Sequence, residues 1–341
     1  MEHEPERPIL AIDLGGTQIR AALITPDRDV HCRVAAPTRD AEGVDAVIDR
    51  IVALAADVRH AASTAGLPAP VGIGISSPGP LDPWRGIVLL APNLAGWRDV
   101  PIVERIADRL GMPTYLERDT NVAVMGEWRY GAAQGTRNAI YITVSTGIGG
   151  GIIIDGRPVI GPDGTAGEVG HVTVELDGPR CGCGGIGHVE AIASGTALAR
   201  DGQRLVDADP SSPLARLVAG GEELDAELVA RAAAAGDAAC AELLEHAWVA
   251  IGALCASLAN LLDPEIIVLG GSIAEHHPRL FEVIGDEMVR RAFAILVARV
   301  RIEPAALGGD VSLIGSLPIV NDRIGDPAYQ SGTHQQGALH A

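Results

Sequence analysis

Four potential metal ligands lie close together in one Gly-rich segment. Residues 167–190 read GEVGHVTVELDGPRCGCGGIGHVE and contain His171, Cys181, Cys183 and His188. Two thiolates and two imidazoles form a set that zinc accepts in tetrahedral structural sites, and the neighbouring glycines let both sulfur atoms approach one point. The alternative is a reduced cysteine pair with two unrelated histidines. Because a histidine stands on each side of the pair, the pattern favours a structural zinc knuckle.

Two carboxylates bracket this segment. Glu168 and Glu190 stand at its two ends. Both could accept hydrogen bonds from a hydroxylated ligand at the edge of the knuckle. The metal would then hold the residues of a binding site in place.

Three Gly-rich turns at strand ends form a second set. They are Asp13-Leu14-Gly15-Gly16-Thr17, Ser145-Thr146-Gly147-Ile148-Gly149-Gly150 and Gly270-Gly271-Ser272. Such turns let backbone N–H groups approach phosphate oxygens, and Thr17 and Thr146 add hydroxyl donors. Asp13 could hold hydrated Mg²⁺. A tight turn that needs glycine at positive φ explains any one of them, but three in succession favour a nucleotide site.

The apolar pattern predicts an α/β fold. Two Gly-tipped hairpins, 9–13 with 18–25 and 139–144 with 151–154, look like a duplicated unit. Further segments have the spacing of strands or helices. Strands are predicted at 71–75, 114–116 and 265–269, and helices at 43–65, 101–111, 243–262 and from Asp119, with Asp119 as the capping residue.

Charge and composition exclude several functions. The 341 residues carry 26 basic and 44 acidic side chains, a net charge of −18, which repels nucleic acids and anionic membranes. Every basic residue is arginine, so a Walker A loop, a lysine Schiff base and a lysine-anchored kinase cleft are excluded. The length fits two domains or one large α/β unit.

The first residues of the sequence and the cysteines indicate the cellular compartment. The first residues, MEHEPERP, do not resemble a signal peptide, and no segment has the pattern of a membrane span. Five cysteines, three of them scattered, suit a reducing compartment. We therefore expect a cytoplasmic protein. The polar, Gly-rich residues 322–341 predict a flexible tail.

Together, these motifs resemble the ROK family of bacterial sugar kinases and repressors. The resemblance rests on the Asp13 and Gly147 turns, on Gly167-Glu168-Val169-Gly170-His171 and on the cysteine knuckle, and it spans about residues 8–317. It implies a two-domain actin-like ATPase (ribonuclease H-like) fold with sugar and ATP in the interdomain cleft. The small domain would comprise 1–118 with about 300–320, and the large domain 119–299.

The resemblance also assigns site residues. Asp119, within Glu117-Arg118-Asp119-Thr120-Asn121, matches the catalytic base, with a helix N-cap as the alternative role. The adenosine and phosphate turns would include Gly15, Gly16, Gly147, Gly270 and Gly271. Sugar contacts are implied at Gly79, Asn93, Asn121, Glu168, His171 and Glu190.

Three residues depart from the family pattern. His188 stands where a third cysteine is usual, Arg118 where a sugar-binding asparagine is common, and Gln18 where many members have lysine. ROK repressors carry a helix-turn-helix before the first phosphate motif, and only eight residues precede Ile9 here, so we expect an enzyme rather than a repressor.

The resemblance therefore predicts a homodimeric hexose kinase that uses ATP and Mg²⁺, acts on glucose and does not bind nucleic acid. N-acetylmannosamine or N-acetylglucosamine kinase and fructokinase are the enzyme alternatives, and a non-catalytic sugar sensor is the alternative of another class. Polyphosphate in place of ATP stays open as the phosphoryl donor.

Overall fold

The computed structural model describes residues 5–91 and 94–332, and the chain divides into two compact units. Unit 1 comprises Met1–Gly131, Pro158–Ala166 and Gly309–Ala341. Unit 2 comprises Ala132–Arg157 and Gly167–Gly308. Strands and helices are numbered in chain order over both units.

Unit 1 is built on a five-stranded sheet with the order β3-β2-β1-β4-β8. Antiparallel pairing joins β1, β2 and β3, whereas β1, β4 and β8 run parallel. The strands β5, β6 and β7 form a separate three-stranded sheet. The strands are β1 Ile9–Leu14, β2 Gln18–Ile24, β3 Val30–Pro37, β4 Ile73–Ser77, β5 Leu81–Asp82, β6 Ile87–Leu90, β7 Arg98–Val100 and β8 Thr114–Arg118.

The helices of unit 1 are α1 Val44–Thr64, α2 Ile102–Leu110, α3 Asp119–Tyr130, α12 Val311–Ile314 and α13 Ser316–Arg323. α1 buries Val47, Ile48, Ile51 and Leu54, a spacing that puts one apolar face against the sheet. The strands β1, β4 and β8 are almost fully buried, as expected for strands covered on both faces, whereas the edge strand β3 is partly exposed.

Unit 2 repeats this arrangement. Its sheet has the order β11-β10-β9-β12-β13, with an antiparallel hairpin of β9 and β10 and parallel pairing of β9, β12 and β13. The strands are β9 Ala139–Val144, β10 Ile148–Ile154, β11 Arg157–Pro158, β12 Ile266–Gly270 and β13 Arg301–Pro304. The duplication predicted from the two hairpins, and the α/β class, are confirmed.

Eight helices complete the described part of unit 2. They are α4 Glu190–Ala193, α5 Gly195–Ala208, α6 Pro213–Ala219, α7 Ala226–Ala234, α8 Ala238–Leu262, α9 Ser272–His276, α10 Arg279–Arg291 and α11 Ala294–Val297. α8 is long and apolar enough to cross a membrane, contrary to the sequence prediction, but half of its most apolar part is buried within the structure. Cys255 on this helix is fully buried, and burial raises the pKa of its thiol to about 12, which suits a side chain that serves in packing.

The boundaries of the two units differ from the domain boundaries predicted from the sequence. The predicted boundary before Asp119 separates α3 from β8, whereas both lie in unit 1. The reason is that α3 packs against α12 and α13, which return from the end of the chain. Unit 2 also continues beyond residue 299, to Gly308.

The predicted flexible tail begins too early. Through Gly332, the segment that follows α13 is fixed to unit 1 by main-chain hydrogen bonds, from Thr114 N to Ser331 O at 2.9 Å and from Gln330 N to Trp84 O at 2.7 Å. Polar composition alone missed these bonds because they depend on partners far away in sequence. Residues 333–341 lie outside the described part of the chain.

Gly271 provides a test of the local geometry. Its φ is +90°, and a Cβ at this position would lie 2.5 Å from Val144 O. Gly271→Ala should therefore lower the free energy of unfolding by more than about 2 kcal/mol. Gly285→Ala, in the open interior of α10, is the matched control and should raise it by about 0.5–1 kcal/mol. Thermal and denaturant unfolding measure both; equal effects would contradict the explanation.

Candidate functional site

Parallel pairing brings the predicted residues of unit 1 to one edge of its sheet. In register, Asp13 of β1 lies opposite Ser76 of β4, which in turn lies opposite Glu117 of β8. The three strands thus end side by side. The Asp13 turn, the loop with Gly79 and the first turn of α3 with Asp119 therefore lie at the same carboxyl edge, which is the usual ligand-binding edge of an α/β sheet.

Asp119 is the first residue of α3. Arg118, with extended ψ of 138°, holds the N-cap position, so the prediction of Asp119 as the capping residue is wrong by one position. The Asp119 Oδ1 atom accepts a hydrogen bond from the next amide, Thr120 N, at 2.7 Å. A carboxylate at this end of a helix is stabilised by the helix dipole.

Asn121 is held from two sides, by Glu117 and Arg118. Its Nδ2 donates to Glu117 Oε1 at 2.9 Å, and its Oδ1 lies 3.4 Å from Arg118 Nη2. The same guanidinium donates to Ala166 O. A Cβ on Gly79 would lie 3.3 Å from Arg118 Cδ, so glycine here leaves room for the arginine.

The structure thus brings Gly79, Arg118 and Asn121 together and adds Glu117, which sequence reasoning missed. The available signal was position: Glu117 stands two residues before Asp119, on a strand that is buried throughout. Asn93, predicted to contact a sugar, lies outside the described residues.

The first glycine turn uses one of its own N–H groups to close the turn. Gly15 N donates to Gln18 O at 3.0 Å, so this N–H group faces the turn itself. Among the described glycines with positive φ, neither Gly15 nor Gly16 occurs. A Cβ on Gly15 would lie 2.9 Å from Gln18 O, so glycine is needed for space rather than for backbone conformation. Thr17 is exposed beside them.

Asp13 forms an ion pair with Arg20. Arg20 Nε and Nη2 donate to Asp13 Oδ2 at 3.0 and 2.7 Å across the β1–β2 hairpin. The pair is half-buried, with side chains 15% and 25% exposed. This guanidinium offsets the carboxylate charge that a cation would otherwise meet.

In unit 2, Glu190 fixes the second glycine turn. Ile148 N donates to Glu190 Oε2 at 3.1 Å. A Cβ on Gly147 would lie 2.8 Å from the same oxygen. Thr146 O in turn accepts from the Thr196 hydroxyl at 2.9 Å. The turn is therefore shaped around this carboxylate.

The second and third turns border one cavity. It lies within unit 2, has a volume of about 1250 Å³, and is lined by Ser145, Thr146 and Ser272 together with residues of α5, α7, α8 and α10. Gly271 is the N-cap of α9, and the hydroxyls of Ser145 and Ser272 lie 3.1 Å apart.

Two rings lie in the wall of this cavity. The Trp248 and His277 centroids are 5.3 Å apart. Burial lowers the pKa of His277, which favours the neutral ring at neutral pH. An apolar wall with hydroxyl and backbone groups at one end suits a ligand with a flat ring and a polar extension.

The four potential metal ligands come together as predicted. The donor atoms of His171, Cys181, Cys183 and His188 all lie within 4.8 Å of one another. Cys183 Sγ is 3.3 Å from His188 Nδ1, and Cys181 Sγ is 3.8 Å from His171 Nδ1. Tetrahedral sulfur and nitrogen ligands of zinc are about 3.3–3.8 Å apart. The cluster therefore fits a tetrahedral zinc site.

Glu190 connects this cluster with the second turn. Its Oε1 atom lies 3.7 Å from Cys181 Sγ and 4.0 Å from His171 Nδ1, while Oε2 holds Ile148. Burial raises the pKa of Cys181, so the thiolate form needs a cation nearby. Glu168 is exposed and precedes the 3₁₀ turn Val169–His171.

Comparison with known families finds a match over most of the chain. The model of the ROK family matches residues 9–323. The chain belongs to the ROK family. The family resemblance predicted from the motifs is confirmed.

Named relatives of this ROK protein align over nearly their whole length. A glucokinase of Thermotoga maritima is 33% identical over 321 residues, 94% of this chain and 99% of that protein. The crystal structure of a ROK hexokinase from Thermus thermophilus has a TM-score of 0.78 at 33% identity, covering 94% of this chain and 99% of its own.

A third relative was solved with ligands. The ROK family glucokinase of Streptomyces griseus, in complex with glucose and AMPPNP, has a TM-score of 0.74 at 31% identity, covering 92% of this chain and 98% of its own. The actin-like ATPase fold expected for the ROK protein is confirmed by these structures.

Proposed function

We propose that this ROK protein is an ATP-dependent hexose kinase that converts glucose to glucose 6-phosphate. The observation that carries the proposal is the cavity of unit 2, bordered by two glycine turns and walled by Trp248 and His277. Its volume and lining suit a nucleotide. The names of the full-length relatives support the sugar as second substrate.

ATP would place its adenine against the apolar wall and its phosphates toward Thr146, Gly147, Gly270 and Gly271. Backbone N–H groups at such turns stabilise phosphate oxygens. Mg²⁺ supplies charge neutralisation of the phosphates when bound. Asp13 is the candidate for holding it through water; its pairing with Arg20 favours such an indirect contact.

Asp119 is the proposed general base. Phosphoryl transfer needs one carboxylate to accept the proton of the attacking hydroxyl, and additional acceptors to orient the sugar. Asp119 lies at the carboxyl edge of the unit 1 sheet, where Asn121 and the loop with Gly79 are also found. Glu168, His171 and Glu190 are the proposed sugar contacts in unit 2, and Asn93 in unit 1.

Zinc is the proposed occupant of the cluster. His171, Cys181, Cys183 and His188 would hold it in a structural role, with His171 binding through Nδ1, the nitrogen nearest Cys181. The other nitrogen, Nε2, would then serve as a hydrogen-bond partner for a sugar hydroxyl. Replacement of the usual third cysteine by His188 retains four donors.

The enzyme is proposed to work in the cytoplasm as a homodimer, without a nucleic-acid partner. Scattered free cysteines suit a reducing compartment. Kinases for N-acetylhexosamines or fructose are the alternatives, since Arg118 replaces a common sugar-binding asparagine. A non-catalytic sugar sensor is the alternative of another class.

Replacement of the proposed base tests the reaction. Asp119→Asn retains the shape but removes the proton acceptor, so turnover should fall at least about a hundredfold while glucose still binds. Coupled ADP release and glucose calorimetry measure the two effects. Near-normal turnover would remove Asp119 from catalysis, and absence of activity in the parent protein across hexoses and N-acetylhexosamines would favour the sensor.

Obstruction of the cavity tests the nucleotide. Ala234 is exposed and lines the cavity, so Ala234→Trp should raise the KM for ATP at least about tenfold by steric exclusion. The KM for glucose should be unchanged. Ala239→Trp, an exposed neighbour outside the lining, is the control. Equal KM values for ATP in both variants, with activity retained on polyphosphate, would point to a different donor.

Removal of one thiol tests the metal. Purified protein should contain one zinc per chain, and Cys181→Ser should lose most of it and melt earlier, since a ligand set of three binds more weakly. Cys32→Ser, a half-buried thiol of unit 1, should retain the zinc. Elemental analysis and thermal unfolding distinguish these outcomes; zinc-free parent protein with full activity would refute the proposal.

A further inference from the structure

A buried ion pair lies behind the start of α3. Glu117 of β8 and Arg323 of α13 are in direct contact through Oε2 and Nη2, and their side chains are 1% and 6% exposed. They are 206 residues apart in the sequence. Replacing such a pair by well-packed apolar side chains is often neutral or stabilising. Stability alone therefore does not explain a carboxylate at this position.

Glu117 provides two directed acceptor contacts. Its Oε1 atom accepts from Arg118 N and from Asn121 Nδ2, both at 2.9 Å. These residues stand on either side of Asp119. The carboxylate thus fixes the backbone before the proposed base and the amide after it.

Arg323 is held by the end of the chain. Its Nη1 donates to Leu116 O at 2.9 Å, and its guanidinium carbon lies 4.3 Å from the centre of the Tyr329 ring. Tyr329 in turn lies in the segment that is fixed by the Gln330 and Ser331 backbone bonds. A cation over an aromatic ring is attracted to its face.

We propose that Glu117 and Arg323, supported by Tyr329, are positioning residues that orient Asn121 and the first turn of α3. The inference rests on the proposed roles of Asp119 and Asn121. Arg323 occupies one oxygen of Glu117 and leaves the other directed at the two donors. The segment after α13, which composition predicts to be flexible, thereby becomes part of the sugar half-site in unit 1.

Glu117→Gln tests the proposal with an isosteric change. The amide must present its NH₂ group either to Arg323 or to the donors of Arg118 and Asn121, so one set of contacts is lost. We expect kcat to fall at least about tenfold and the KM for glucose to rise, because small displacements of a reacting group are costly. The KM for ATP should not change.

Rescue separates positioning from folding. In Glu117→Gln combined with Arg323→Met, no guanidinium competes, so the amide oxygen can again accept from Arg118 and Asn121. Most of the lost kcat should return in this double variant. Tyr329→Ala, at a half-buried residue, should change kcat and the KM for glucose in the same direction as Glu117→Gln but by less.

A matched control uses the same two helices. Arg129 of α3 and Asp322 of α13 form an ion pair at 2.7 Å, with side chains 22% and 37% exposed. Asp322→Asn breaks this contact at the far end of α3. It should leave kcat and both KM values unchanged, since it leaves the Glu117 contacts in place.

The outcomes are distinct. Normal kcat and glucose KM in Glu117→Gln and Tyr329→Ala would overturn the positioning role, as would an equal loss in Asp322→Asn or a double variant no better than Glu117→Gln. Asp119→Asn, measured in parallel, tests the base separately. If Asp119→Asn turns over normally, calorimetry of glucose binding to Glu117→Gln still tests whether Glu117 orients Asn121. Weaker glucose binding would support the proposal, and unchanged binding would overturn it.

Discussion

Parallel strand pairing is the constraint on which the candidate site depends. In unit 1, β1, β4 and β8 end together, and in unit 2 the same holds for β9 and β12, where Gly270 pairs with Thr143. Each of these strands is followed by a predicted site residue. A shift of one residue in the register would move each buried side chain to the opposite covered face and disrupt its packing, so the apolar core of each sheet also fixes where the polar loops begin.

Within this frame, single carboxylates determine local geometry. Glu190 contacts the Cys/His cluster with one oxygen and Ile148 N with the other. Glu117 likewise divides its two oxygens between Arg323 and the start of α3. In both cases an acidic side chain joins elements that the sheet alone would leave independent. The burial of Glu117 strengthens its charge-assisted hydrogen bonds further.

Local patterns were sufficient to predict the Cys/His cluster, the glycine turns, the duplicated hairpins and the family. Each of these features depends on residues that are close together in the sequence. The role of Glu117, the packing of α3 with α12 and α13, and the fixed segment up to Gly332 were missed because their partners come from the opposite end of the chain. At Gly15, the residue type indicated a turn but could not distinguish a need for space from a need for positive φ.

The discontinuity of unit 1 has a consequence for synthesis on the ribosome. Unit 2 is complete once Gly308 has emerged, whereas unit 1 still lacks α12, α13 and the partner of Glu117. Domains fold as their sequence becomes available. Until α13 is translated, the nascent chain therefore exposes the apolar surface of β4 and α3 that α13 covers. Unit 2 can reach its native state first, and the candidate site residues around Asp119 reach their final arrangement only after α13 has emerged.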